Sequence, residues 1–405
     1  MNPGSQSSGY IPQRILNRYF VYAWIIAFTL QIGQNIYNSA LSVYTAGLGY
    51  SSTFAGSLAI PYLIMALAGR ILSGYISDHK SRRQGMLIGC LAFLAGSLVF
   101  NLPSLAGASL FMLAARGIHG FGYACASTSY SVAVVDVIPP KDMAVGIGLN
   151  WTAQSLAQAL CGVLMIVLVI DGSYEPLFLF STGCLIAAVV FCSLCRYEDA
   201  SATKTAEPFR LDIKGLIHEM FEPSVLPKAA ALFVFYSGIS IITFFALVAA
   251  GEKGIPGSGL FFTACSIGMT FSNLFLVRLE KRFSTRGVLI PVLLCAAVSN
   301  LLISRCTTII PFLLAGLLFG FGIGAMPVFQ NAAVKNLPVF RRGAGTSTLF
   351  LAMDISMGIG PVIWGAVIDS AGNPAAFTLA AVVVLLSMIP TIFVFGDYKE
   401  TERRI

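Results

Sequence analysis

Three groups of residues stand in this chain where an apolar sequence would not place them without a use. The stretch Gly74-Tyr75-Ile76-Ser77-Asp78-His79-Lys80-Ser81-Arg82-Arg83 ends a long apolar segment with an acid and then several basic or potentially basic groups. Arg116 and Asp354 each lie about ten residues inside an apolar segment, and His119 follows Arg116 by one helical turn. The third group is made of amides and hydroxyls. Gln31, Gln34, Asn35 and Asn38 recur at i, i+3, i+4 and i+7, the spacing of a single helix face. Asn150, Gln154 and Gln158 follow at steps of four, and Tyr123, Tyr236, Gln330 and Asn331 stand in other apolar segments. A buried carboxylate can load and release a proton, an arginine can hold an anion, and amides can hydrogen-bond a neutral solute. An uncompensated charge in hydrocarbon costs at least about 2.5 kcal/mol, so each charged member should face water, a solute or a partner. Bond-breaking chemistry would need other groupings. A phosphate-binding loop, a Ser/His/Asp set and a metal-ligand cluster are all missing from the sequence, which reads as neither an enzyme nor a cofactor binder.

The elements that carry these residues follow from composition. Hydrophobic residues make up 57% of the 405 and charged residues 11%. Twelve mostly apolar windows are long enough to cross a hydrocarbon core: about 21–43, 53–77, 84–102, 107–137, 143–169, 174–196, 228–251, 257–279, 287–305, 308–336, 344–368 and 373–396. In lipid each must be helical, because an unpaired backbone amide there costs several kcal/mol. The expected fold is therefore all-α and integral to the membrane. Its expected parts are a cytoplasmic tail (1–20), a six-helix bundle (21–196), a linker (197–227), a second six-helix bundle (228–396) and a short tail (397–405). Within the linker Phe209, Leu211, Ile213, Leu216, Ile217 and Met220 alternate with charged residues at helix-like spacing, which predicts a short helix on the membrane surface.

Of the 25 Lys and Arg, twenty-one fall in the termini, in the even-to-odd connections or at the helix ends beside them. By the positive-inside rule both termini and the linker are expected in the cytoplasm. The formal charge of +7 is then a topology signal and implies no nucleic-acid partner. The first eighteen residues lack the apolar core of a cleavable leader. Nine cysteines, all in or at the ends of apolar segments and without metal-ligand spacing to a histidine, read as small apolar filler, so no metal site is expected.

The chain also repeats itself. Asp78 and the basic run after it return in weaker form at Glu280-Lys281-Arg282, an offset of 202. Gly120-Phe121-Gly122 returns as Gly320-Phe321-Gly322 and Pro139 as Pro338, at offsets of 200 and 199. Agreement between distant regions points to two related halves. On these residues the whole chain resembles the major facilitator superfamily. Gly74 to Arg83 matches the loop signature between that superfamily's second and third helices, and Arg116-Gly117-Ile118-His119-Gly120-Phe121-Gly122 is similar to its fourth-helix signature. Arg70, eight residues before Asp78, and the run from Asp354 to Gly365 resemble its bacterial sugar-, drug- and metabolite-efflux branch, near which some opine-metallophore exporters fall. The fifth segment departs from the pattern: it lacks the Gly-Pro antiporter signature, which sits instead in the eleventh as Gly358, Gly360, Pro361 and Gly365.

The resemblance implies six plus six helices around a central cavity, and a conformational latch at Gly74, Asp78, Arg82, Arg83 and Glu280 that stabilises one of two global states, with basic side chains pairing across the halves. Asp354, Arg116 and His119 are the proton-coupling candidates, Asp354 leading. A static salt bridge is the competing role for Asp354 and Arg116, and a satisfied buried hydrogen-bonder the competing role for His119. The cavity candidates are Gln31, Gln34, Asn35, Asn38, Arg70, Arg116, Tyr123, Asn150, Gln154, Gln158, Tyr236, Gln330 and Asn331. Interhelical glue is the alternative for the amides, and a snorkelling side chain for Arg70. One or two arginines among neutral hydrogen-bonders suit a small polar or anionic molecule. The expected protein is a monomeric secondary transporter of the bacterial inner membrane, exchanging such a molecule for protons by alternating access. Proton-symport import is the alternative. A membrane enzyme, a transport-dead sensor or a channel fits less well, for want of catalytic groups, a signalling domain or pore loops.

Overall fold

The computed structural model describes residues 14–79, 81–102, 107–139, 142–170, 172–196, 221–338 and 341–395. The linker helix expected over 209–220 lies outside them. Among the described residues the chain is helical, apart from an isolated bridge between Ile170 and Ser173. Every one of the twelve apolar windows is occupied by helix. In order these are α1 (Arg18–Gly47), α2 (Ser52–Ser57) running on into α3 (Ala59–His79), α4 (Arg82–Phe100), α5 (Ser109–Asp136), α6 (Met143–Val167) and α7 (Glu175–Leu194). After the linker come α8 (Leu226–Glu252), α9 (Leu260–Phe283), α10 (Thr285–Arg305), α11 (Ile309–Ile323), α12 (Met326–Val334), α13 (Arg342–Leu386) and α14 (Met388–Val394). Eight helical stretches among the described residues are long and apolar enough to cross a membrane. The last of them, Ala344–Val394, spans 51 residues. It is broken at Gly372, whose backbone (φ 79°, ψ 163°) leaves helical geometry where Asn373-Pro374 follows. A residue with a Cβ is strained at that positive φ, so the glycine divides one over-long helix into two arms of membrane length.

Large apolar side chains point outward along these helices. Leu110 is 72% exposed, Ile310 77% and Phe393 77%. Such a surface is unsuited to water and fits lipid.

The chain divides into two compact units. One holds Met1–Tyr37, Ile60–Ala157 and Leu168–Phe209; the other holds Asn38–Ala59, Gln158–Val167 and Arg210–Ile405. The second unit thus includes the end of α1, the whole of α2 and the last turns of α6.

Lipid gives packed helices little hydrophobic drive to associate, so close approach depends on small residues. In the first unit a Cβ on Gly120 of α5 would overlap the carbonyl of Tyr62 on α3, and one on Gly122 would overlap the backbone nitrogen of Phe93 on α4. In the second unit a Cβ on Gly320 of α11 would overlap the carbonyl of Cys265 on α9. Gly120 and Gly320 are the repeat partners found in the sequence, and each lies against the helix one hairpin earlier. The repeat is therefore a repeat of backbone contacts.

Candidate functional site

In the first unit, Arg116 on α5 is only 2% exposed and lies over the Tyr62 ring of α3, 4.6 Å from its centroid. Three residues on, His119 is fully buried in a box of rings. Its centroid is 4.3 Å from Tyr37 (α1), 4.9 Å from Phe93 and 5.7 Å from Phe100 (both α4), and Nε2 lies 3.2 Å from Ser97 Oγ. Tyr37 in turn stacks on Phe178 of α7. One turn beyond His119, Tyr123 donates to Gln31 Oε1 at 2.8 Å, and Gln31 Nε2 donates to Asn35 Oδ1 at 3.0 Å. The helical spacing read from the sequence thus produces a chain of hydrogen bonds from α5 along one face of α1.

That face keeps hydrogen-bonding capacity in reserve. Gln34 Oε1, Asn35 Nδ2 and, on α6, Asn150 Oδ1 are buried atoms with no hydrogen-bond partner in the protein. Each such atom costs about 1–3 kcal/mol unless water or a solute meets it. Gln154 of α6 lies beside the hydroxyl of Tyr130, which also feels the charge of Arg70. Arg70 is half-buried on α3, and this places it beside α5.

The second unit contains the other half of the candidate set. Asp354 is half-buried on α13, and its charge acts on the hydroxyl of Tyr236, a buried residue of α8. Gln330 reaches Thr346 at 3.5 Å, a long contact. Asn38 and Gln158 are half-buried in this unit. Asn331, expected as a cavity residue, is exposed and donates instead to Glu280 Oε2 at 3.1 Å.

Against this geometry stand the comparisons with known proteins. The sequence profile of the Major Facilitator Superfamily matches residues 23–258 and 229–405. The chain belongs to that superfamily. Among its relatives are the MFS-type transporter YhhS of Escherichia coli (strain K12), 24% identical over 352 residues, covering 85% of this chain and 84% of YhhS. The chloramphenicol resistance protein of Pseudomonas aeruginosa is 24% identical over 383 residues, covering 89% and 88% of the two chains. Solved structures share the fold at low identity. The nucleoside transporter NupG superposes with a TM-score of 0.77 at 11% identity, covering 94% of this chain and 100% of NupG. A POT family transporter with 5-aminolevulinic acid superposes at 0.78 and 14%, covering 95% and 98%. As a superfamily member the chain is a multi-pass membrane transport protein, related to bacterial transporters, for a small-molecule substrate.

The superfamily's loop signature takes a specific form here. α3 runs through Asp78 to His79, and Ser81 caps α4 by accepting from Gln84 N. Gly74 and Asp78 lie in α3, but their side-chain surroundings fall outside what is described. Arg82 Nε sits 2.7 Å from Asp136 Oδ2 at the end of α5. Arg83 donates to the carbonyls of Ser193 (2.8 Å) and Cys192 (3.3 Å) at the end of α7, where a cation meets the negative end of the helix dipole. These contacts of Arg82 and Arg83 tie three helices of the N-terminal half to one another. In the second half Glu280 accepts from Thr285 Oγ1 at 2.8 Å as well as from Asn331, so the weaker copy of the signature also anchors within its own half.

Three contributors escaped the sequence reading. Asp136 and Tyr130 lie in the last turns of α5, a segment read mainly for its arginine and glycines. Asp369 is an acid three residues before the break in α13, with no periodic pattern to mark it.

Proposed function

We propose that this protein exports a small polar or anionic organic molecule from the bacterial cytoplasm across the inner membrane in exchange for protons. The observation that carries this reading is the α1–α5 face of Arg116, Tyr123, Gln31 and Asn35, with the unsatisfied amide atoms of Gln34, Asn35 and Asn150 near them in the sequence order of those helices. A lining with one buried cation, neutral donors and neutral acceptors favours an anionic or neutral polar solute over a lipophilic cation. Asp354 is the proposed proton carrier, because it is a carboxylate well inside an apolar segment with a tyrosine beside it. Arg82, Arg83 and Glu280, with Gly74 and Asp78, form the proposed latch that stabilises one of the two global states. Kinship with a chloramphenicol resistance protein supports outward transport, and chloramphenicol is the natural first probe. The distribution of Lys and Arg supports a cytoplasmic position for both termini.

The test is untargeted metabolite profiling of spent medium from cells expressing wild type or Asp354→Asn at matched membrane levels, with chloramphenicol susceptibility scored alongside. A compound enriched outside only with wild type identifies an exporter and names its cargo. A compound depleted from the medium only with wild type makes the protein an importer. Efflux by Asp354→Asn with its full dependence on the pH gradient would remove Asp354 from the coupling role.

A further inference from the structure

The outer ends of α2 and α13 meet through backbone. A Cβ on Gly56 would overlap the carbonyl of Pro361, and one on Gly365 would overlap the carbonyl of Ser52. The last turns of α6 meet α9 in the same way. Thr263 Oγ1 donates to the carbonyl of Ala159 at 2.9 Å, and Gly162 faces the backbone of Gly259. Both seams lie inside the second compact unit, although α2 and α6 belong to the N-terminal six helices.

The α2–α13 seam has one charged component. A helix begins with four N–H groups that its own turns cannot satisfy. At α2 they are shared out. Ser51 Oγ accepts from Phe54 N at 3.1 Å, while the Ser51 carbonyl starts the helix's own ladder by accepting from Ala55 N. The first two are met from α13: Asp369 Oδ1 accepts from Ser52 N at 2.8 Å and Oδ2 from Thr53 N at 2.8 Å. Thr53 Oγ1 also donates to Oδ2, at 2.6 Å. A carboxylate 316 residues away in sequence thus completes the cap of α2. The geometry is bidentate and charge-assisted, and the positive end of the helix dipole adds to it.

We infer that Asp369 is a lock on the outer gate, holding the α2–α13 seam shut by capping α2 from the opposite half of the chain. The glycines allow the two backbones to touch and contribute no directional bond of their own between side chains. The carboxylate accepts three directional bonds, two from backbone N–H groups and one from the Thr53 hydroxyl, all broken if the outer ends separate, after which only water can satisfy the two N–H groups. Loss of Asp369 therefore shifts the equilibrium toward the outward-open state. Helix caps of this kind contribute about 0.5–2 kcal/mol, which corresponds to a shift of roughly 2- to 30-fold.

The inference rests on the alternating-access reading, but its test needs no cargo, so failure to find a transported molecule leaves the outcome legible. A reporter thiol is placed by Ala55→Cys, at a position 6% exposed in the closed seam. Its rate of reaction with a membrane-impermeant maleimide is measured on intact cells, with the native cysteines alone as background. Adding Asp369→Ala is expected to raise the labelling rate roughly 2- to 30-fold, and Thr53→Val, which removes one of the three bonds, to raise it by less. Asp369→Glu guards against a general folding defect and should fall between wild type and Asp369→Ala. An unchanged rate in Asp369→Ala at wild-type membrane level overturns the inference. So does an equal increase in all three variants, which would indicate loosened packing instead of a lost lock.

Discussion

Replacing His119 by alanine should lower stability by about 3.5 kcal/mol and leave the pH dependence of transport intact. Removing roughly 60 Å³ of ring volume from a site that cannot collapse costs about 1.5 kcal/mol at about 24 cal/mol per Å³. The site has little room to collapse, because even a Cβ on Gly96 would sit 2.6 Å from His119 Cδ2. Loss of the contact with Ser97 Oγ adds about 1 kcal/mol, and loss of the ring contacts with Tyr37, Phe93 and Phe100 about another 1 kcal/mol, counted once because the three rings are not independent. Stability would be read from denaturant-induced unfolding in mixed micelles, and coupling from transport across a series of imposed pH gradients. His119→Gln serves as the milder partner: it keeps a hydrogen-bonding group for Ser97 and loses the ring. If His119→Gln were as stable as wild type and its transport had lost its dependence on the pH gradient, the packing argument would be refuted and the histidine would be the proton carrier.

Two further outcomes are expected. Tyr123→Phe removes the 2.8 Å bond to Gln31 and strands a half-buried acceptor on the proposed cargo face; it should raise KM for the cargo by up to about tenfold with maximal rate largely kept, read from concentration-dependent transport at matched membrane levels. Near the linker, Arg341 pairs with Glu222 at 2.7 Å, and hydrogen bonding from Ser224 first, then from Arg341, holds the Glu222 carboxyl below its ordinary value of 4.5. Because the folded-state value is depressed, this contribution is present above 4.5 and is lost as the pH falls through the folded value. Wild type should therefore lose melting temperature on acidification below that point more steeply than Glu222→Gln, as followed by thermal unfolding in detergent.

Much of this was legible because it is local. The i, i+3, i+4, i+7 amides of α1 share a face in any helix, so Gln31 and Asn35 had to meet, and the repeated Gly-Phe-Gly marked a repeated helix contact. Other features depend on partners distant in sequence. The box around His119 takes one ring from α1, two from α4 and, through Tyr37, one from α7, and no spacing rule joins those helices. Asn331 lies in a polar pair at a segment end and read as cavity lining, yet Glu280, 51 residues earlier, claims it. The Asp369 cap spans most of the chain, and a lone exposed acid beside a helix break has no periodicity to give it away.

The glycine contacts at 56, 120, 320 and 365 also bear on how such a protein changes over generations. The residues that let the helices touch carry no side chains, and the residues that face the proposed cargo carry the amides, the tyrosine and the arginine. Substitutions that retune what is carried need not disturb what holds the helices together. A duplicated chain built this way can change from one cargo to another through a few substitutions at Gln34, Asn35 or Asn150, while the glycine contacts stay as they are.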